Sequence, residues 1–351
     1  MRLRQLALAC ALALAPGGAA IASDALRGPP VDGAPTRVSV GVFVSDVNAV
    51  TEEDETFEFE AILSASWLDP RLAFDPAQAG VTEKVYQGNY QFAEVFDGWW
   101  PQLFLANESG QFDTQLVMVQ VAPDGRVRWT QEFNAVAESP MNLRPFPFDR
   151  QRLEAIFEVL GFGGDRVTLV ADPAATGRFA GGVNVAQWVL HDVGVSVRES
   201  SAVYGDGHGG AIAQLVVSLD MAREPGHMLR IVVAPLVLLV FLTFTVFWMD
   251  RESLGDRMDI SFIGILSVVA YQIVVNDHMP AISYPTLMFG FLYSTYLLLT
   301  ASVVINLVVS KLDQAGKRQL GDRVDRTCRW AFPLLFVGVN AVSAVYFLAL
   351  S

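Results

Sequence analysis

The chain has 351 residues, of which 52% are hydrophobic, and its formal net charge is −13 at pH 7. This sign of charge excludes a protein whose main task is to bind nucleic acid, because such binding needs clustered Lys and Arg. The mean hydropathy of +0.36 is high for a wholly soluble protein. The length has room for one exported domain followed by a membrane domain.

The first 22 residues have the pattern of a secretory signal peptide. Its charged start, apolar centre and small-residue cleavage site are Arg2–Arg4, Leu6–Leu14 and Ala20–Ala22. Removal of this peptide leaves Cys328 as the one cysteine of the mature chain, which therefore cannot form an internal disulfide. The exported domain, residues 23–226, must then be held together by its hydrophobic core, which about 200 residues can provide.

The exported domain has the alternating pattern of antiparallel β-strands. Apolar residues recur at every second position in Val38–Val44 and in Phe57–Trp67. Two further strand-like runs flank Pro123-Asp124-Gly125, which has the composition of a hairpin turn. The segment Asp75–Gln91 is assigned at most a short helix. We therefore predict an all-β, immunoglobulin-like sandwich of about ten strands.

This exported domain is strongly acidic. From Ser23 to Ala222 the sequence has 28 Asp and Glu against 12 Lys and Arg, a net charge of −16. Such a domain raises the local concentration of cations through its field, which salt screens. Simple solubility is the alternative explanation for most of the individual acids.

Four apolar segments follow Arg223, and three of them are clearly long enough for a membrane helix. The second contains Asp259 and is marginal for a helix that faces lipid, which suggests that the other three shield it. We predict these helices at about 227–249, 258–276, 284–311 and 329–350. With a cleaved signal peptide, the N-terminal domain and the C-terminus both lie outside. The segment Lys311–Arg329 then forms a basic cytoplasmic loop, as the positive-inside rule requires.

The second apolar segment carries acids along one of its faces. Steps of three and four residues place seven side chains on a single helical stripe, namely Asp256, Asp259, Ile263, Leu266, Ala270, Ile273 and Asp277. Asp259 and Asp277 are separated by roughly 27 Å at about 1.5 Å per residue, close to the thickness of the hydrocarbon layer. Carboxylates at both membrane faces are costly unless the stripe faces water. Several copies around an axis would form a pore with acidic mouths and an apolar middle, which indicates a cation channel.

Three motifs give the chain a resemblance to a known family. They are Trp67-Leu68-Asp69-Pro70-Arg71-Leu72, Trp99-Trp100-Pro101-Gln102 with Asn107, and Phe146-Pro147-Phe148-Asp149-Arg150-Gln151. With these motifs the mature chain resembles the prokaryotic pentameric ligand-gated ion channels of the Cys-loop receptor superfamily. Ser139 and Leu153 stand where animal members have the two loop cysteines. Short stretches in the second and fourth apolar segments resemble the amine-gated bacterial channels of the group.

The resemblance implies a homopentamer with a central pore. Asp259 would form a narrow cytoplasmic ring of five carboxylates, with Asp256 below it and Asp277 at the outer mouth. Ile263, Leu266, Ala270 and Ile273 would form a hydrophobic gate that closes by dewetting. The alternative is that these four residues are ordinary helix-packing groups. The resemblance also implies coupling between the two domains through five residues, namely Phe148, Asp149, Arg223, His278 and Pro280.

The agonist site implied by the resemblance lies between subunits and combines aromatic rings with an acid. The candidate residues in this sequence are Glu158, Leu160, Phe162, Trp100 and Tyr204. Leu160 stands where an aromatic residue is expected, so the agonist of the amine-gated channels is not carried over. Glu158 is alternatively a structural acid, and Phe162 and Trp100 are alternatively core residues.

The expected partners are further copies of this chain, membrane lipids, a small-molecule agonist and permeant monovalent cations. No cofactor is predicted, although a divalent cation held by the acidic ring would modulate the channel. The expected location is the bacterial plasma membrane. A non-conducting membrane sensor of the same fold is the alternative function. An enzyme is a weaker alternative, because the sequence has no G-x-S-x-G, H-E-x-x-H or phosphate-loop motif.

Overall fold

The structure is a computed structural model that describes residues 28–30, 33–180, 185–201, 211–250, 253–277 and 282–349. The predicted signal peptide lies outside these residues. Tyr204, His278 and Pro280 also lie outside them, so their predicted roles remain predictions.

The predicted exported domain, called the outer domain below, is a sandwich of two sheets, and its described residues form eleven strands. The strands are β1 (Thr36–Thr51), β2 (Thr56–Leu68), β3 (Lys84–Gln87), β4 (Leu103–Leu105), β5 (Glu108–Val121), β6 (Arg126–Glu138), β7 (Arg150–Val159), β8 (Val167–Ala171), β9 (Gly177–Arg178), β10 (Trp188–Ser201) and β11 (Ala211–Arg223). One sheet has the order β3-β5-β6-β2-β1-β8, with β9 beside β1, and the other has the order β10-β11-β7-β4. The predicted β-sandwich is confirmed.

The period-two pattern determines which side chains enter the sandwich. Along β2 every second residue from Phe57 to Trp67 is buried, and the residues between them are partly exposed. Phe133 of β6 contacts Phe157 of β7 across the sandwich, with ring centroids 5.9 Å apart. Between β2 and β3, the predicted short helix is present as Pro76–Ala79.

The hairpin between β5 and β6 depends on Gly125. This residue has a φ of +84°, which side chains with a Cβ rarely adopt. A Cβ at this position would lie 2.5 Å from the backbone oxygen of Asp69. The turn therefore needs glycine both for its backbone conformation and for its close approach to the segment that follows β2.

In the described part of the membrane domain, four helices are long and apolar enough to cross a membrane, namely Gly226–Trp248, Leu254–Asn276, Leu287–Gln314 and Arg318–Leu348. The second helix begins before its predicted start, so Asp256 lies in its first turn. The prediction that Lys311–Arg329 forms a loop is wrong, because the third helix continues to Gln314 and the fourth helix begins at Arg318. Both helices extend beyond their apolar segments into charged residues. The prediction failed because hydropathy alone places the end of a helix where the apolar residues stop.

Candidate functional site

The seven residues of the predicted pore stripe all lie on the exposed side of the second membrane helix. Asp256, Asp259, Ala270 and Asp277 are exposed in the isolated subunit. Ile263, Leu266 and Ile273 are 63%, 69% and 60% exposed. The structure therefore brings the acids and the predicted gate residues onto one open face.

The opposite side of this helix packs against the rest of the membrane domain. Its buried residues are Arg257, Ser261, Gly264, Val268 and Val275. Gly264 allows close packing, because a Cβ there would lie 2.4 Å from Oγ1 of Thr243 on the first helix. Since one face is packed and the other is open, the helix has a fixed rotation relative to the other three.

Asp277 has a second environment besides the stripe. It follows the last residue of the second membrane helix and lines a cleft of about 270 Å³ at the junction of the two domains. Glu52, Arg223 and Trp188 of the outer domain line the same cleft. The structure thus places the predicted outer-mouth acid beside Arg223, one of the five residues predicted to couple the domains.

Asp149 and Arg223 meet because of the strand register. Arg150, at the start of β7, pairs with Ala222 in β11, so the residues flanking this pair are neighbours. The Arg223 guanidinium donates to Asp149 at 2.8 Å from Nε and at 3.4 Å from its terminal nitrogen. The Arg223 amide also donates to the Asp149 carbonyl oxygen at 3.1 Å. Asp149 is fully buried and Arg223 is 8% exposed, so this is a desolvated ion pair.

Other groups complete the surroundings of this pair. The Arg223 guanidinium lies 2.7 Å from the Glu52 carboxylate, and it stacks 4.2 Å from the Trp188 ring centroid. Gln151 donates to the second carboxylate oxygen of Asp149 at 2.7 Å. The buried charges are therefore bonded on several sides, which is the condition for a stable buried pair.

The loop between β6 and β7, residues 139–149, is called the signature loop below, and it contacts the membrane domain directly. Its Arg144 carbonyl accepts from the amide of Leu287, the first residue of the third membrane helix, at 2.8 Å. The Tyr284 hydroxyl accepts from the Leu143 amide at 3.2 Å and donates to the Met141 carbonyl at 3.3 Å.

Phe148, predicted to take part in coupling, is 40% exposed at the end of the same loop. An exposed phenylalanine at this position is available to a neighbouring segment.

The predicted ligand residues separate into two groups. Glu158 is 8% exposed, and its carboxylate accepts from the Gln214 side chain on the neighbouring strand β11. Leu160, at the end of β7, is 56% exposed. In the described part of the chain, Glu158 is therefore bonded within its own sheet.

Trp100 and Phe162 lie together in an aromatic cleft of about 440 Å³. The cleft is also lined by Phe96, Trp99, Asp97 and Gln102. The Arg166 guanidinium lies 5.2 Å from the Phe162 ring centroid, so this ring already attracts a cation. Rings with one nearby carboxylate are suited to an organic cation.

Sequence reasoning missed several residues of these sites. Glu52 belongs to the acidic run Glu52–Glu55 at the turn between β1 and β2. This run of four acids between two predicted strands is the sequence signal that could have identified Glu52 as a candidate partner for a cation. Tyr284 has no such signal, because its partners are backbone groups more than 140 positions away in the chain. Among the described residues, no cluster of three or more His, Cys, Asp or Glu side chains could hold a metal ion.

Comparison with known proteins agrees with this arrangement. The family model described as neurotransmitter-gated ion-channel ligand binding domain matches residues 24–225. The model described as neurotransmitter-gated ion-channel transmembrane region matches residues 232–320.

The relatives are ion channels and receptor subunits, and one of them is named as a chloride channel. The chain is 26% identical to a proton-gated ion channel of Gloeobacter violaceus, over 91% of this chain and 85% of that protein. It is 27% identical to an acetylcholine receptor beta subunit of Xenopus laevis, over 78% of this chain and 56% of the receptor. It is 23% identical to a pH-sensitive chloride channel of Anopheles gambiae, over 71% of this chain and 41% of that protein. The narrower resemblance to amine-gated bacterial channels stays a prediction.

An outer β-sandwich, four apolar helices, and family models that match both regions all point to the same assignment. The chain belongs to the neurotransmitter-gated ion channels, the family of pentameric ligand-gated channels.

Proposed function

We propose that five copies of this chain form a cation-selective, ligand-gated channel in the bacterial plasma membrane. The carrying observation is the open face of the second membrane helix, which has two acids at its cytoplasmic end and three large apolar side chains that are at least 60% exposed. A carboxylate at membrane depth needs water. If five such faces surround a central axis, they enclose a water-filled pore that hydrates the carboxylates, whereas in a single subunit these carboxylates would face lipid.

Cation selectivity rests on the charge of the stripe. The relatives include a chloride channel, so family membership leaves the sign of the permeant ion open. Asp256 and Asp259 are both exposed on the stripe, whereas the neighbouring cation, Arg257, is buried on the opposite side. A ring of carboxylates from five subunits attracts cations and repels anions.

The gate in this proposal is the apolar middle of the stripe. Ile263, Leu266 and Ile273 are spaced along about three turns of helix, and Ala270 lies between the last two. If these apolar side chains from five subunits lie close together around the axis, the constriction excludes water, and ions cannot pass even though no side chain blocks the pore completely.

The agonist acts from the outer domain in this proposal, and its chemistry is open. A proton-gated relative makes acidification one agonist to test, and the acetylcholine receptor makes organic ammonium ions another. The aromatic cleft around Trp100 and Phe162 supports an organic cation as the agonist, because aromatic ring faces attract cations.

Bilayer recording from the purified full-length protein tests the proposal. Amines, amino acids and acidic pH are applied from the outer side, and reversal potentials are then measured in a NaCl gradient. We expect a reversal potential near that of sodium for the wild type, and a shift towards zero for Asp259→Ala because the ring loses its charge.

The matched control is Asp322→Ala, which removes an exposed acid from the fourth helix, away from the stripe. Its reversal potential should equal that of the wild type. A wild-type protein that reverses near the chloride potential would refute cation selectivity. A pentamer that stays silent under all agonists, even with a polar gate substitution, would favour the non-conducting sensor.

A further inference from the structure

The cytoplasmic end of the pore helix contains a buried charge that is not part of the exposed stripe. Arg257 lies between the stripe residues Asp256 and Asp259 in sequence, but it is only 1% exposed. Its Nε donates to the Val246 carbonyl at 3.1 Å, near the end of the first membrane helix. The arginine is thus directed into the helix bundle, away from the stripe.

Asp325 of the fourth membrane helix supplies the countercharge. Its carboxylate accepts from the Arg257 guanidinium at 3.0 Å, and the Asp325 side chain is only 5% exposed. The two residues are 68 positions apart in the chain. A buried guanidinium beside a buried carboxylate is electrically neutral as a pair, whereas either partner alone is an uncompensated charge in a medium that screens poorly.

The distance between this pair and the stripe is short. A helix with its side chains is about 10–12 Å across, and Arg257 is within one turn of both stripe acids along the axis. Charges on opposite sides of one helix are therefore separated by roughly 10 Å, and the protein between them screens less than bulk water does. Without Asp325, each subunit would place a positive charge directly behind the acidic ring.

From this geometry we infer that Asp325 is a positioning residue for ion selection, because it neutralises Arg257 and so leaves the acidic ring at its full attraction for cations. The inference rests on the proposed function. It assigns to the fourth helix, which contributes nothing to the exposed stripe, a specific electrostatic role in permeation. The Arg257 contact with the first helix also holds the arginine on the side away from the pore.

The test compares Asp325→Asn with the double variant Asp325→Asn/Arg257→Gln in single-channel recordings. In Asp325→Asn the buried arginine is uncompensated, and we expect cation conductance and the sodium-to-chloride permeability ratio to fall by roughly threefold to tenfold. The double variant has no charge at either position, so both quantities should return to wild-type values. Arg257→Gln alone adds no positive charge, so it should not lower the permeability ratio.

A purely structural role for the pair gives a different pattern. In that case both single variants would lower the number of channels at the surface, and the channels that remain would have wild-type conductance and permeability ratio. That result would overturn the inference. An unselective wild-type channel would instead refute the proposed function, and the two failures are therefore distinguishable.

Mixed pentamers keep the test decisive if Asp325→Asn alone does not assemble. Co-expression with an excess of wild-type subunits gives channels with one or two altered subunits. We expect discrete conductance levels that fall with each altered subunit, and the level of the all-wild-type channel should remain present. A single conductance level at every expression ratio, with altered subunits shown in the purified pentamer, would refute the inference.

Discussion

Arg223→Ala should destabilise the outer domain and disconnect it from the pore. The substitution removes a guanidinium that contacts Asp149 at 2.8 Å and Glu52 at 2.7 Å, and it leaves the fully buried Asp149 without its countercharge. Removal of one partner of a buried pair costs about 3–5 kcal/mol. Since a domain of 150–250 residues loses about 2–4 °C of its unfolding midpoint per kcal/mol, the expected decrease is roughly 6–20 °C.

The assay is thermal unfolding of the purified pentamer, followed by recording of agonist responses from the same preparation. Arg152→Ala is the matched control, because its side chain is 63% exposed and its nearest carboxylate, that of Glu154, is 4.0 Å away. An exposed pair of this kind contributes at most about 1 kcal/mol, so the control should unfold within about 4 °C of the wild type.

The contribution of the pair itself is isolated by adding Asp149→Asn. In the Asp149→Asn background no buried carboxylate remains at position 149. Arg223→Ala should therefore lower the free energy of unfolding by less than it does in the wild type, and the two losses should differ by about 0.5–3 kcal/mol. Arg223→Lys should recover only part of the stability, because an ammonium cannot reproduce the forked contacts or the stacking on Trp188. If Arg223→Ala unfolds like the Arg152→Ala control and responds normally to agonist, the assigned role of the pair is refuted.

The other predictions concern the gate, the domain junction and one turn. Leu266→Ser should make the closed channel leaky because a hydroxyl wets the apolar constriction, and background leak at normal surface expression would contradict the dry gate. Tyr284→Phe should weaken the junction by about 1 kcal/mol and raise the agonist concentration needed for half-maximal current, because it removes two hydrogen bonds to the signature loop. Gly125→Ala should lower the unfolding midpoint far more than Gly33→Ala, since both have positive φ and only Gly125 faces a backbone within 4 Å; equal effects would contradict the steric argument.

The sequence was sufficient to predict features that repeat at a fixed period. The alternation in β2 predicted its buried face, and the steps of three and four predicted the stripe that contains Asp259 and Leu266. Both predictions use only the geometry of one element. The family resemblance implies that Asp149 and Arg223 meet, and the structure explains this contact by the register of β7 and β11.

Features that depend on contacts between distant segments could not be predicted in the same way. Hydropathy places Asp325 in a basic loop, because the charges around it end the apolar segment, whereas the structure continues the fourth helix through it and buries it against Arg257. Hydropathy treats a buried ion pair as exposed charge. Tyr284 was likewise missed, because its hydroxyl bonds to backbone groups of a loop whose position is set by the whole sandwich.

The described contacts indicate which helix receives movement of the signature loop. This loop bonds directly to Leu287, the first residue of the third membrane helix, through the Arg144 carbonyl. Farther along the third helix, the Tyr296 hydroxyl donates to the Gln272 side chain of the second membrane helix at 3.0 Å, next to the predicted gate residue Ile273. A hydrogen-bonded helix is stiff along its axis, so displacement of its first residue moves its later turns with it. We therefore expect agonist-driven movement to reach the gate through the third helix as well as through the segment that contains His278 and Pro280.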